Sequence, residues 1–538
     1  MKFLLLLLLP WSVAAADACR PWSETDQGDV TLVVGDIEVK TANVFDLSLP
    51  EENRWFHRFT NEWHRPTRPN VVRQQLLFRT GDTYSRRVLD ETERNLRSTS
   101  YLHRVTIRET EVCNGVVNLL VETSDNWSLS TNFSLERAGG ENEYRFEVRE
   151  ANLFGSGRAL LFRIDSSVDR ESRTFFFSDP AFRGTRQQVS LQLDSNSDGE
   201  GTALRWQKPF YGLDSRDAWQ VSVSNQVFGS STFEDGRAVQ GFTQRRRNLN
   251  VSRGFSAGLI QGAATRYSGG LIFDEAEVSL VVPVTSVTSA SDEPDVRRFV
   301  YPFLGIEYLQ DRYVKRSNLS LLETIEDVSL GHRVSASVGW SSQVLGANLS
   351  GLIISGGYSR GFQPSEFWLG QVSASASVRV SNAGVDQATG TARLRSFRFL
   401  SRRQQLFFQA SLSAIDNPFR EQQLLLGGDT GLRGYPLRIQ SGDRRAIATA
   451  EYRFFPDWYP WRLLRFGFAT FVDAGQAWRS DGDEPALLTD VGVGLRAVWA
   501  RQANNRVLHI DLAKPVTAVD GVDDVSGVQL VIKTKAEF

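Results

Sequence analysis

Few side chains in this chain of 538 residues are equipped for bond chemistry. There are five histidines, His57, His64, His103, His332 and His509, and two cysteines, Cys19 and Cys113. Nucleophilic catalysis needs a serine or cysteine poised beside a histidine that a carboxylate orients. His509 has Asp511 two residues on, but no serine nucleophile motif accompanies them, so it reads as a hydrogen-bonding residue. The histidines and cysteines also lack metal-ligand spacing. No enzyme, no cofactor and no metal are expected. For Cys19 and Cys113 a disulfide stands beside a lipid-modified or free Cys19. The residues before Cys19 (Ala16, Asp17, Ala18) lack the Leu-x-small form that lipidation needs.

One stretch asks for another kind of chemistry. Gly427 to Ile439 reads GGDTGLRGYPLRI, with four glycines and a proline in thirteen residues. It is a poor strand. It lacks the Gly-Lys-Ser/Thr ending and following helix of a phosphate loop. Arg433 and Arg438 are flanked by Leu432, Tyr435 and Leu437, not by the polar residues of a solvated loop.

The elements that must position this loop are strands. The first residues, MKFLLLLLLPWSVAAADA, read as a secretory signal peptide over 1–18, and nothing later is a transmembrane helix. The chain has 43 Gly, 34 Phe and 13 Trp but only 41% apolar residues, as expected where strands alternate faces. A net charge of −2 gives no sign of a nucleic-acid partner.

Residues 22–125 form a separate small domain. VTLVVGDIEV is a strand, PNVVRQQLLF a helix, and Ser85 caps a second helix bearing Val88, Leu89, Thr92 and Leu96. Two strands joined by Cys113-Asn-Gly follow. An insertion at 41–68 carries Trp55, Phe56, Phe59 and Trp63. It reads most simply as an amphipathic segment packed on this domain, with a membrane surface or a partner as alternatives.

Residues 126–538 alternate throughout. Val491, Val493, Leu495, Ala497 and Trp499 oppose Asp490, Gly492, Gly494, Arg496 and Val498, and Leu406, Phe408 and Leu412 oppose Gln405, Phe407 and Gln409. About 410 such residues with no linker predict one closed transmembrane β-barrel, apolar outside and polar within. The last strand places Ile532 and the terminal Phe538 on one face, like the assembly signal of a bacterial outer-membrane barrel. Five strands follow the glycine loop, and about fifteen alternating segments precede it.

The motif Leu432-Arg433-Gly434-Tyr435 resembles the tip of the inward-folded loop of the BamA/TamA superfamily of outer-membrane assembly and secretion barrels. Phe471-Val-Asp473-Ala-Gly475 resembles that superfamily's wall motif, and residues 22–125 resemble one POTRA domain. The resemblance implies a lid loop over 417–442. Gly428, Gly431, Leu432, Arg433, Gly434 and Tyr435 would form its tip, and Arg433 would meet Asp473 with Phe471 and Gly475 beside it. Glu451 and Arg453 would extend the contact within the lumen. It also implies sixteen strands, eleven of them before the loop, although more segments alternate.

Further implications are a Gram-negative outer-membrane location and a periplasmic N-terminal domain. The partners would be membrane lipid, unfolded outer-membrane or secreted client proteins, and periplasmic or lipoprotein subunits. The implied function is protein insertion or translocation, with a channel or transporter for a small solute or lipid as the alternative. A POTRA fold would also bring Cys19 close to the turn at Cys113, which favours their disulfide.

Overall fold

The computed structural model describes residues 19–23, 32–281, 293–319, 325–482, 484–503, 506–519 and 527–535. The signal peptide read at 1–18 and the terminal Phe538 lie outside them.

The N-terminal domain follows its hydrophobic pattern. It contains β1 (Arg20–Pro21), β2 (Val33–Ala42), α1 (Trp55–Trp63), α2 (Pro69–Gln75), α3 (Arg86–Arg97), β3 (Leu102–Cys113) and β4 (Val116–Asp125). The sheet order is β1-β3-β4-β2, and β2 runs parallel to β4. Pro69 opens α2, where its missing N–H costs nothing. Leu89 and Leu96 of α3 are fully buried against Ile107, Val117, Leu119 and Val121. Ser85 stands at the N-cap with extended backbone, but its hydroxyl makes no cap hydrogen bond. Asn114 and Gly115 both adopt positive φ (51° and 78°), the conformation a two-residue hairpin turn requires. Cys113 just before that turn is bonded to Cys19 across a separation of 94 residues.

The rest of the described chain is a closed antiparallel barrel of twenty strands. Fifteen run from Leu129–Ala138 to Gln404–Asp416. Five follow the loop: Arg444–Phe454, Leu464–Trp478, Leu488–Trp499, Val507–Pro515 and Gln529–Lys535. The sixteen strands implied by the resemblance are thus corrected to twenty. Each of the fifteen alternating segments before the loop is a complete wall strand, and none is half of another. A spanning strand needs only about 9–11 residues. Asp217–Glu234, Arg237–Ile260 and Ala263–Val281 run 18, 24 and 19 residues, so this part of the wall stands well clear of the membrane.

The wall is inside-out relative to a soluble sandwich. Phe133, Leu304, Leu412 and Val493 are exposed, whereas Glu147, Glu275, Asp490, Arg496 and Asp511 are buried. Two segments turn into the lumen. The lid, 417–442, enters from the end far from the N-terminal domain. A short hairpin, Tyr313–Ser317 with Ile325–Ser329, enters from the near end. Its Leu319, Val328 and Leu330 pack on Leu369, Phe397 and Phe407 of the inner wall.

Candidate functional site: the lid loop and its wall

The lid folds inward because its glycines permit close backbone approach. A Cβ on Gly428 would lie 2.5 Å from the Tyr435 carbonyl and 2.7 Å from the Gly139 nitrogen. A Cβ on Gly434 would lie 2.7 Å from Asp490 Cβ and 3.0 Å from Pro515 N. Gly431 has a φ of +132°. The lid also buries an apolar underside, Leu426, Leu432, Tyr435 and Ile439, against Ala477 and Leu488 of the wall. Burial of these residues holds the loop down before any charge is paired.

Arg433 is carried by that tip into a cluster of carboxylates. Its Nε donates to Asp473 Oδ2 (2.7 Å) and an Nη to Asp473 Oδ1 (2.9 Å), the two-pronged geometry that suits a guanidinium. Its other Nη donates to Glu451 Oε1 (3.0 Å) and to Asp511 Oδ2 at 3.4 Å. The guanidinium carbon lies 3.3 Å from the centroid of the Phe471 ring, a desolvated cation–π contact. Asp473 is 0% exposed and Arg433 6%, so the pair is effectively dry.

Neighbouring strands complete the set. Thr449 donates to Asp473 Oδ1 (2.8 Å), and the Gly434 N–H donates to Asp490 Oδ2 (3.0 Å). Arg453 donates to Glu451 Oε2 (2.8 Å) and stacks on Phe407 with 3.7 Å to the centroid. Arg496 pairs with Asp511. Tyr435 Oη accepts from Thr489 N (3.1 Å) and lies within 3.0 Å of the Thr489 and Thr517 carbonyls. Gly475 leaves room for Leu432, whose Cδ2 would be 3.4 Å from an added Cβ.

The structure therefore brings together Gly428, Gly431, Leu432, Arg433, Gly434 and Tyr435 with Phe471, Asp473 and Gly475, and joins Glu451 and Arg453 to them. Ile532 lies apart, on the last strand. Residues that sequence reasoning did not place here are Thr449, Asp490, Arg496 and Asp511. The last three alternate onto the lumen face of their strands, and that was the available signal.

The lid is tethered to the opposite wall as well. Arg297 donates to Glu421 Oε1 (2.5 Å) and lies over the Phe419 ring at 3.8 Å, while Ser441 Oγ donates to the Phe233 carbonyl (2.7 Å). Lys533 of the last strand donates to the Gly428 carbonyl (3.1 Å).

From the near end, the hairpin reaches the same charge cluster. Arg453 donates to the Leu319 carbonyl at 3.4 Å. The hairpin is gripped below by α3. Arg97 makes a two-pronged pair with Asp327, both contacts 2.9 Å, and Arg94 bonds Asp311 (2.9 Å) and stacks on Tyr313 at 4.3 Å. Burial alone would raise the pKa of Glu93. The Ile107 N–H, Arg97 and Lys315 more than offset it, so this carboxyl titrates below its ordinary range. A continuous run of contacts thus links α3, the hairpin, Arg453, Glu451 and the lid.

No curated protein matches the chain. Among solved structures, it is similar to a BamA from Haemophilus ducreyi lacking POTRA domains 1–3, at 13% identity and a TM-score of 0.39, covering 93% of this chain and 83% of that one. CdiB from Acinetobacter baumannii matches at 13% identity and a TM-score of 0.44, covering 93% and 73% of the two chains. CdiB from Escherichia coli matches at 11% identity and a TM-score of 0.46, covering 93% and 76%. The model of the Omp85 superfamily domain matches residues 152–535, most of the chain, and the protein belongs to the Omp85 superfamily of outer-membrane β-barrels.

Proposed function

We propose that this protein inserts client proteins into, or translocates them across, the Gram-negative outer membrane, with residues 22–125 acting as a POTRA-like module in the periplasm. No bond chemistry is involved in this reading. The observation that carries it is the barrel seam. Among the described residues, the last strand meets the first at one register pair, Ile532 opposite Arg137, whereas its other edge runs paired from Val507–Lys535 to Ala513–Gln529. A junction with so little ladder costs little to open, and its free strand edges can template an incoming strand.

Two features support a lateral route over an open channel for a solute or lipid. The lid and the hairpin both occupy the lumen, the lid held by buried ion pairs and the hairpin by the partly hydrated Arg97–Asp327 pair. Client capture by strand addition is narrowed to the second half of β2. Its first half is already engaged, by the Asp82 carbonyl to Val34 N, Val34 O to Gly81 N and Arg73 to the Ile37 carbonyl. Among the described residues, Glu38–Ala42 are left for a client or for a periplasmic or lipoprotein partner.

An engineered disulfide joining Arg137→Cys to Ile532→Cys tests the seam. Oxidation should stop client assembly in reconstituted membranes, and reductant should restore it. Full activity with the seam covalently closed would refute the lateral route.

A further inference from the structure

The insertion helix α1 is built the wrong way round for a helix packed on a soluble domain. Trp55, Phe59 and Trp63 recur at four-residue steps on one face and are 72%, 51% and 70% exposed, with Phe56 half-buried at the edge of that face. The polar face is the one that turns inward. His57 is fully buried and its Nε2 lies 3.1 Å from the Trp461 carbonyl. Asn61 exchanges side-chain hydrogen bonds with the Phe45 backbone, accepting from its N–H (3.0 Å) and donating to its carbonyl (2.7 Å). Burial lowers the pKa of His57, so the inward face is held by neutral hydrogen bonds. The segment does pack on the small domain, as expected, but not through its aromatic face. Its histidine and asparagine do the packing, because they find backbone partners, and the aromatic rings face outward.

The helix is also fixed in place at the barrel rim. Just before it, Glu51 pairs with Arg462 (2.7 Å) and Glu52 with Arg501 (2.8 Å), both on turns that join wall strands at the near end. Those same turns and strand ends present further exposed rings, Trp458, Trp461 and Trp499. Trp499 ends a strand whose Val491 and Val493 belong to the lipid-facing wall. Helix α1 is therefore seated at the rim whose Trp458, Trp461 and Trp499 adjoin the lipid-facing wall. Arg54, Arg58 and Arg65 are exposed around it. Indole rings at the headgroup level flanked by cations are the composition of an interfacial anchor.

We propose that α1 lies in the near-side leaflet of the membrane, with Trp55, Phe59 and Trp63 inserted among phospholipid headgroups. The helix would then tie the N-terminal domain to the bilayer next to the barrel wall. A phospholipid surface is favoured over a protein partner because α1 is seated beside a lipid-facing band and because the helix's partners on the protein side are already made by its other face.

The test is a photoreactive phenylalanine at Phe59 in the full chain, folded into nanodiscs of phosphatidylethanolamine and phosphatidylglycerol. Controls carry the probe at Phe133 on the wall and at Val116 on the N-terminal domain. Only variants that retain heat-modifiable barrel mobility are compared. Phe59 should yield phospholipid adducts as Phe133 does, and Val116 should yield none. In parallel, Trp55→Phe with Trp63→Phe should lower the fraction of tryptophan emission quenched by brominated phospholipid. Adducts of Phe59 to protein alone, or unchanged quenching, would overturn the proposal. The outcome does not depend on client insertion, so it stands or falls separately from that reading.

Discussion

Two segments enter the lumen from opposite ends, and they are locked in different ways. The lid is fastened to the barrel wall itself. Arg433 meets Asp473, Glu451 and Asp511 on three strands, and Arg297 and Phe233 hold it on the far side. The hairpin rests on Phe397 and Phe407, but its charged contacts, Asp327 with Arg97 and Lys315 with Glu93, lie with a separate domain. A lid fixed to the wall reports the wall's shape. A hairpin fixed to α3 reports the position of the N-terminal domain. The two meet at the Glu451–Arg453 pair, which is where movement of one domain could bias the other.

The largest effect should come from breaking the lid's lock. Removing one member of a buried ion pair leaves the other unpaired, at about 3–5 kcal/mol. Arg433→Ala and Asp473→Ala should each raise protease cleavage within Gly427–Tyr435 and impair function, and the double variant should resemble either single one. Additive defects would mean that the two charges do not depend on each other. A purely steric break is available at Gly434, where a Cβ would strike Asp490 Cβ at 2.7 Å. Gly434→Ala should lift the tip at about 1–3 kcal/mol, the usual range for overpacking. Its cleavage pattern should match that of Arg433→Ala, with smaller amplitude.

The same comparison explains what was legible in the sequence. The glycine loop stood out because four glycines and a proline make a poor wall strand, while its role as a lid and its partner Asp473 followed from the resemblance. Counting alternating segments gave about fifteen before the loop and five strands after it, a better guide to this wall than the sixteen implied by resemblance. The hairpin gave no such sign. Residues 313–329 alternate weakly, and each strand has only five residues, too short to separate from a connecting turn. Asp490, Arg496 and Asp511 lay on the correct face, but alternation says which side a residue faces and not which neighbour it meets. The helix α1 was visible as an aromatic cluster, yet which face packs depended on hydrogen bonds to Phe45 and Trp461 that lie outside any local pattern.

The hairpin's lock should be weaker than the lid's. Arg97 and Asp327 are partly hydrated, at 11% and 14% side-chain exposure, so losing their paired hydrogen bonds should cost about 1.5–3 kcal/mol. Arg97→Ala should increase hydrogen exchange in 311–331 and leave exchange at Gly427–Tyr435 nearly unchanged. If the lid loosens equally, the two segments form one unit and the distinction drawn above fails. The variant Arg453→Met tests the junction between them, since it removes the contact to the Leu319 carbonyl while keeping a long apolar stem on Phe407.

The last effect concerns the junction of the N-terminal domain with the barrel, and acid reveals it. His103 lies at the junction with the barrel, where burial first, then the charges of Arg501 and Arg104, push its pKa from 6.5 down to about 3. The folded domain therefore keeps this ring neutral where the unfolded chain protonates it. The sign follows from that difference. The stability is fully present above about pH 6.5 and is lost as the pH falls from 6.5 towards 3. The slope is at most about 1.4 kcal/mol per pH unit. His103→Asn cannot charge, so it should flatten that part of the profile even if it lowers stability at neutral pH. Hydrogen exchange of β3 and β4 between pH 7 and pH 5, wild type against variant, measures this. Equal acid sensitivity in both would show that His103 titrates normally and that the acid response of the domain lies elsewhere. A response confined to β3, β4 and the 311–331 hairpin, with the lid unmoved, would sharpen the contrast between a lid fastened to the wall and a hairpin fastened to a domain.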